Sequence, residues 1–417
     1  MLPRKTTKLK IWLISDAVFW RSDIYIVNYF DKLFENEPLT VEWRFIPWSN
    51  VWVELVNAFK AGEPPDIFEI GSSWVATLAE MNFLLPLKLD IFRKDYVVDW
   101  LERISIYKGE KVAIPWYVDL GMLTARKDIL DLFGISTGSL KDWEGFYSSC
   151  KNVALNVLKG DSELKILPLG FSYRPEPSLL HNMIPFFWSN GWKFPDLNNP
   201  PFKIFSDERA IETFNYLASL WKVSLMPKTI AYTNSFIIQE GFFRGGNFLY
   251  FVTHWSPDII KMLDNRPEMN DIKFPFIVIP YPEGKYGSFQ WGGGSYLAVN
   301  SKTKSKDACF DFLIHFISDS YLLEKIKVES RFPPYKKVYE KVDIPSLLQV
   351  RDLIEKSKTY PSHPLWFIIE KFMTDGMSEI LWYLTDVGEV DEEALKIAEK
   401  WDSLINEIFT TDWGCHG

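Results

Sequence analysis

The sequence predicts an α/β protein built as two lobes, and three observations carry that expectation. The chain opens with alternating strand-like and helix-like patterns, which imply a parallel or mixed sheet with helices on its faces. At 417 residues it is too long for one compact core, so two domains are expected. Its character changes after Lys108-Gly109, and a glycine joint follows at Trp291-Gly292-Gly293-Gly294-Ser295. Glycines tolerate the backbone changes that a hinge requires.

Taken in order, Leu9–Ser15 is an apolar strand. Ile24–Phe34 carries apolar residues at 26, 27, 30, 33 and 34, one face of a helix. Thr40–Ile46 alternates as a strand. Val51–Phe59 is a helix that Ala61-Gly62 closes as a C-cap. Pro64-Pro65 restarts the chain as the strand Asp66–Ile70. The helix Trp74–Phe83 follows, and Leu84-Leu85-Pro86-Leu87 ends it.

Beyond Gly109, Val112–Pro115 and Leu120–Thr124 read as strands around a turn-like Trp116–Asp119. Ser139 to Asp142 reads as a capping box for a helix through Cys150. Residues 171–203, rich in proline and aromatics, read as loop with short helices. Ser206 is the expected cap of a helix whose apolar positions are 210, 211, 214, 217, 218 and 221. Strands are expected at Asn247–Thr253, Phe276–Pro280 and Tyr296–Asn300, and a helix at Asp307–Ile317. The remainder reads as mainly helical, broken at Arg331–Pro334 and Tyr360–Pro364. There is no internal repeat and no low-complexity tract.

Composition removes several function classes. Net charge is −9 and the basic residues are scattered, so there is no cationic surface for nucleic acid. Cys150, Cys309 and Cys415 lie far apart, and the five histidines never pair at i, i+4 or as HxH. No metal site and no cofactor are expected. No apolar run is long enough to span a membrane. Basic residues before Ile11-Trp12-Leu13-Ile14 imitate a signal peptide, but Asp16 follows at once without a cleavage motif. The segment is therefore read as a strand of a mature or tag-trimmed chain.

What stands out is aromatic content: 18 Trp, 18 Tyr and 32 Phe. Several tryptophans sit beside turn residues, hydroxyls or carboxylates, as in Trp48-Ser49-Asn50, Ser72-Ser73-Trp74, Trp116-Tyr117-Val118-Asp119, Trp255-Ser256 and Gln290-Trp291-Gly292. An indole placed beside a polar group suits a flat partner with polar edges, and a sugar ring is such a partner. The plain alternative for each is core packing.

Four segments in order carry a family resemblance. They are Ala58-Phe59-Lys60-Ala61-Gly62-Glu63-Pro64-Pro65-Asp66 with its strand and Trp74; Phe236…Glu240-Gly241…Trp255; Gly293-Gly294-Ser295-Tyr296-Leu297-Ala298-Val299 with Lys306-Asp307-Ala308; and Trp366…Val390-Asp391-Glu392-Glu393-Ala394-Leu395. The chain resembles the family 1 extracellular solute-binding proteins of ABC transporters, in the carbohydrate-binding group that includes maltose-binding protein. The resemblance covers nearly the whole chain and implies a type II-like periplasmic-binding-protein fold with a hinged cleft. It implies crossings near 109–114, 292–295 and 330–334. Lobe one would then hold 1–112 and 296–330, and lobe two 113–295 and 331–417.

It further implies a non-enzymatic monomer, periplasmic or extracellular, tethered or free. Such a protein hands a carbohydrate, an oligosaccharide or glycoside, to an ABC permease. Candidate ligand contacts are Asp16, Trp48, Ser73, Trp74, Trp116, Tyr117, Asp119, Trp255, Trp291 and Trp366. A carboxylate such as Asp119 accepts two vicinal hydroxyls, and indoles cover the apolar sugar face. Asp16 as a helix cap and Trp366 as core remain the structural alternatives, and Asp66 and His254 are read as structural. Ala17, and two aromatics before Asp119, depart from maltose-binding protein and leave the sugar open. Two rival readings stay: a polyamine or other small solute in the same fold, and a glycoside hydrolase. The hydrolase would need two carboxylates about 5–10 Å apart across one bond.

Overall fold

The computed structural model describes residues 7–15, 20–88, 93–158, 166–242, 248–254, 275–329, 331–342 and 345–411. Eleven strands are present among them: β1 Thr7–Ile14, β2 Leu39–Ile46, β3 Ile67–Gly71, β4 Ile106–Tyr107, β5 Glu110–Lys111, β6 Ile114–Arg126, β7 Leu167–Gly170, β8 Phe248–His254, β9 Phe276–Ile279, β10 Gln290–Val299 and β11 Ser357–Lys358. The main sheet is mixed and nine-stranded, in the order β2-β1-β3-β10-β6-β8-β7, with β9 on β6 and β11 on β10.

The opening β-α-β-α-β pattern is as expected. β1 runs parallel to β2 and β3, and the helices Trp20–Leu33 and Trp48–Ala61 form the connections. Gly62 closes the second helix in the left-handed conformation, with its N–H on the last carbonyls. Asp66 is structural: its carboxylate accepts from the Lys10 N–H at 2.9 Å and from the Thr303 hydroxyl at 2.6 Å.

The middle of the chain departs from expectation. Trp116–Asp119 is no turn; β6 runs unbroken for 13 residues. Its first half pairs with β10, and its second half pairs with β8 and β9. The glycine joint likewise lies inside β10, whose 10 residues are all buried. Its glycines serve close packing. A Cβ on Gly292 would meet Trp100 at 2.7 Å, and one on Gly293 would meet the Trp291 ring at 2.5 Å. Gly294, at φ +142°, leaves only 2.2 Å between a Cβ and the Tyr117 carbonyl. Gly294→Ala is therefore expected to cost more than about 2 kcal/mol, because a backbone atom cannot step aside. An unchanged midpoint in thermal unfolding would contradict this.

Two further elements differ. Residues 171–203 contain a full helix, Pro177–Ser189, entered through a proline in its first turn. The helix Glu208–Val223 is capped by Asp207, whose carboxylate accepts from the Arg209 N–H. Ser206 instead donates to Asp402, which also accepts the N–H groups of Ile204, Phe205 and Ser206.

There are two large hydrophobic cores. One gathers β1, β3 and the start of β6 up to Met122. The other begins at Leu123 and takes in the helices Pro177–Ser189, Glu208–Val223, Trp366–Val387 and Glu392–Thr410. The apolar residues of 113–122, together with Phe332, Tyr335, Val338, Tyr339, Val350 and Ile354, pack in the first core, although sequence reasoning placed both stretches in lobe two. The reason is pairing: β6 is bonded to β10 beside β3, and Val118 is bridged to Phe332. Among the described residues no helix is long and apolar enough to cross a membrane, and no His, Cys, Asp and Glu group is placed to hold a metal.

Candidate functional site

A cavity of about 880 Å³ opens where the two cores meet. One side is Trp48 and Ser49 from the start of a helix, where Trp48 packs on the small cluster Ile14, Ile46 and Val51, and Gly71 to Trp74 from the carboxyl end of β3. The central strands supply Asp119, Trp291 and Gly294. The second core supplies Pro177, Ser178 and His181 from one helix, and Phe367, Glu370, Lys371 and Thr374 from another. Strand ends in open α/β sheets are the usual seat of ligands.

One wall is aromatic. Trp74 meets Trp48 edge-on at 5.6 Å and Trp52 edge-on at 5.4 Å between ring centroids. Trp52 in turn stacks flat on Phe367 from the other core, at 3.8 Å and 12°. A hydrogen bond of 2.8 Å from the Thr77 hydroxyl to the Pro364 carbonyl joins the two sides nearby. The opposite wall is polar: His181 stacks on Trp291 at 3.9 Å, and its Nε2 lies 3.2 Å from Glu370 Oε1.

Asp119 lies on the cavity floor. Burial pushes its carboxyl up to about 6, against the pull of Arg331, His181 and Lys325. Among the described residues its carboxylate accepts no hydrogen bond. It is thus a half-buried acceptor with its capacity open to the cavity. Behind it, fully buried Glu69 takes the Ile14 N–H at 2.7 Å and the Ser295 hydroxyl, with Arg331 Nη1 at 3.9 Å. Burial also drives the Glu69 carboxyl upward.

Of the sequence candidates, Trp48, Ser73, Trp74, Asp119 and Trp291 come together around this cavity. Trp116, Tyr117 and Trp366 do not line it. Trp116 is sealed in the first core, edge-on to Phe316 and capped by Lys325 Nζ at 3.7 Å from the ring centroid. Tyr117 lies under the Arg331 guanidinium. Trp366 packs against Phe194 and Tyr360. Lys325 and Arg331 cover the Trp116 and Tyr117 rings, and helix phase puts Trp366 on a buried stripe. Asp16 and the candidate ring of Trp255 lie outside the described residues. Sequence reasoning missed His181, Phe367 and Glu370. Glu370 had left a signal, being a carboxylate inside the apolar helix run Trp366-Phe367-Ile368-Ile369-Glu370.

A family model described as bacterial extracellular solute-binding protein matches residues 27–350. The chain belongs to the bacterial extracellular solute-binding protein family. It is 24% identical over 320 residues to the diacetylchitobiose binding protein DasA of Streptomyces coelicolor, covering 75% of this chain and 70% of that protein. The GacH receptor of Streptomyces glaucescens, solved unliganded and with acarbose, shares the fold with a TM-score of 0.76 at 17% identity, over 96% of this chain and 98% of that one. Maltose-bound MalE3 of T. maritima aligns with a TM-score of 0.76 at 19% identity, over 95% and 100% of the two chains. The fold expected of this solute-binding protein is thus the one its structural relatives share.

Proposed function

We propose that this solute-binding protein captures an oligosaccharide or glycoside in the cavity between its lobes and delivers it to an ABC permease, without chemical turnover. The observation that carries the reading is the pairing of one indole wall, Trp48 and Trp74, with an acceptor carboxylate, Asp119, that faces the same space. Indoles cover the C–H face of a pyranose, while a carboxylate fixes its vicinal hydroxyls through charge-assisted hydrogen bonds. Glu370, held by His181, offers a second acceptor on the facing lobe. The cavity volume of about 880 Å³ leaves room for more than one sugar ring. Relatives named for diacetylchitobiose, acarbose and maltose support a carbohydrate ligand over a polyamine. The protein acts as a monomer outside the cytoplasmic membrane, with two hinged lobes.

Titration calorimetry against malto-, cello- and chito-oligosaccharides, with spermidine as the rival, tests this reading. Binding by one sugar series is the expected outcome. Heat with spermidine alone would replace the sugar by a polyamine. Release of reducing ends on prolonged incubation would reinstate a hydrolase.

A further inference from the structure

The cavity floor is backed by a buried group of charges that the ligand itself would not reach. Tyr117 and Asp119 are two residues apart on β6 and therefore share a face of the strand. The Arg331 guanidinium lies 3.9 Å over the Tyr117 ring, and Nη1 stands 3.9 Å from Glu69. Its place is fixed by backbone: the Val118 N–H donates to the Phe332 carbonyl at 2.8 Å, so the residue beside Arg331 is bonded to the residue beside Asp119. We propose that Arg331 is a positioning residue for ligand capture, anchored to β6 by the Val118–Phe332 bridge so that Asp119 faces the cavity as a charged acceptor. This rests on the reading of the cavity as the ligand site.

The electrostatics agree in sign. Burial disfavours the Asp119 carboxylate, and Arg331 is the largest influence opposing it, ahead of His181 and Lys325. These cations come from different elements: His181 from the helix Pro177–Ser189, Lys325 from the helix Asp319–Glu329, and Arg331 from the segment after it. Glu69 of β3 faces Arg331, and Glu370 faces His181. A neutral carboxyl at position 119 would bind hydroxyls more weakly, since charge-assisted hydrogen bonds are about twice as strong as neutral ones.

The test reads Asp119 directly. Carbon-13 NMR of aspartate carboxyls in the ligand-free protein, assigned with Asp119→Asn, gives its titration midpoint. The experiment is repeated in a His181→Gln background so that the imidazole drops out. The wild-type midpoint is expected at about 6. Arg331→Met is expected to raise it, and Arg331→Lys to bring most of it back. Because Arg331→Met leaves Glu69 with less opposing charge in the interior, the paired variant Glu69→Gln/Arg331→Met is measured as well, and the same upward movement is expected. An unmoved or lowered midpoint in both variants overturns the proposal. Calorimetry at pH 7.5 with maltotriose and with diacetylchitobiose supplies the binding readout. The sugar that binds is expected to weaken about tenfold for each unit by which the midpoint rises above the working pH. In the Asp119→Asn background Arg331→Met should then change binding no further; an equal loss there also overturns the proposal. If no malto-, cello- or chito-oligosaccharide gives heat, the sugar reading fails, and the NMR midpoint alone decides the role of Arg331.

Discussion

Asp119→Asn is expected to weaken ligand capture about 100-fold while making the protein more stable at neutral pH. The two effects have one origin. Asp119 is held in a half-buried place where ionisation is disfavoured, and among the described residues nothing donates to it. A hydrogen bond to a charged acceptor contributes about 1.5–3 kcal/mol, and a sugar diol can supply two of them. Asparagine keeps the shape but offers a single neutral acceptor oxygen. Stability moves the other way. The folded carboxyl stands at about 6 against its ordinary 3.8, so the unfolded chain gives up its proton more readily. The cost to the fold is complete above about pH 6 and vanishes below about pH 4, where both states are protonated. That gap between folded and unfolded carboxyl corresponds to at most about 3 kcal/mol. Thermal unfolding at pH 7.5 should therefore show the asparagine variant melting several degrees higher, with the gap closing toward pH 4. A variant that melts lower at pH 7.5, or binds as well as wild type, would remove Asp119 from the role assigned to it.

The same residue shows what a sequence can and cannot reveal. Its chemistry was legible: a carboxylate after paired aromatics, near a change of composition, suggests a ligand contact. The two aromatics that advertised it do not reach the cavity. The register of β6 against β10 slips at Trp116, a bulge that sets this ring beside Tyr117 under Lys325, and the two rings pack there against buried cations instead of lining the cavity. Reading Trp116–Asp119 as a turn hid that packing. The unbroken strand arises because β6 finds partners along its whole length, first β10 and then β8 and β9, which local patterns cannot foretell. Trp366 fails for a related reason. The helix it begins is buried along Trp366, Ile369, Met373 and Met377, so the ring belongs to the apolar stripe. The cavity takes its neighbours Phe367 and Glu370 instead. Trp48 and Trp74 reach the cavity from the start of the helix Trp48–Ala61 and from the turn that follows β3.

Among the tryptophans, Trp74→Ala is expected to weaken binding strongly for little loss of stability. The ring is half-buried at the end of β3 and lines the cavity. Stacking of a flat partner on an aromatic contributes about 1–3 kcal/mol in nucleic-acid sites, and a similar figure for a sugar face gives a loss of about 10- to 100-fold. A second loss follows from its neighbours. Trp74 braces Trp52 edge-on, and Trp52 carries the flat stack on Phe367 that joins the two sides of the cavity. Without the brace Trp52 gains freedom, and the Trp52–Phe367 contact between the two sides of the cavity weakens. Small-angle scattering of the ligand-free variant should then report a larger radius of gyration than wild type. Trp366→Ala provides the contrast. That ring is wholly buried, so its removal should cost about 3–5 kcal/mol of stability. Both variants are compared by calorimetric titration with the sugar that binds and by thermal unfolding. If Trp74→Ala binds unchanged, the indole wall is packing alone, and ligand recognition would have to rest on the polar wall of His181 and Glu370.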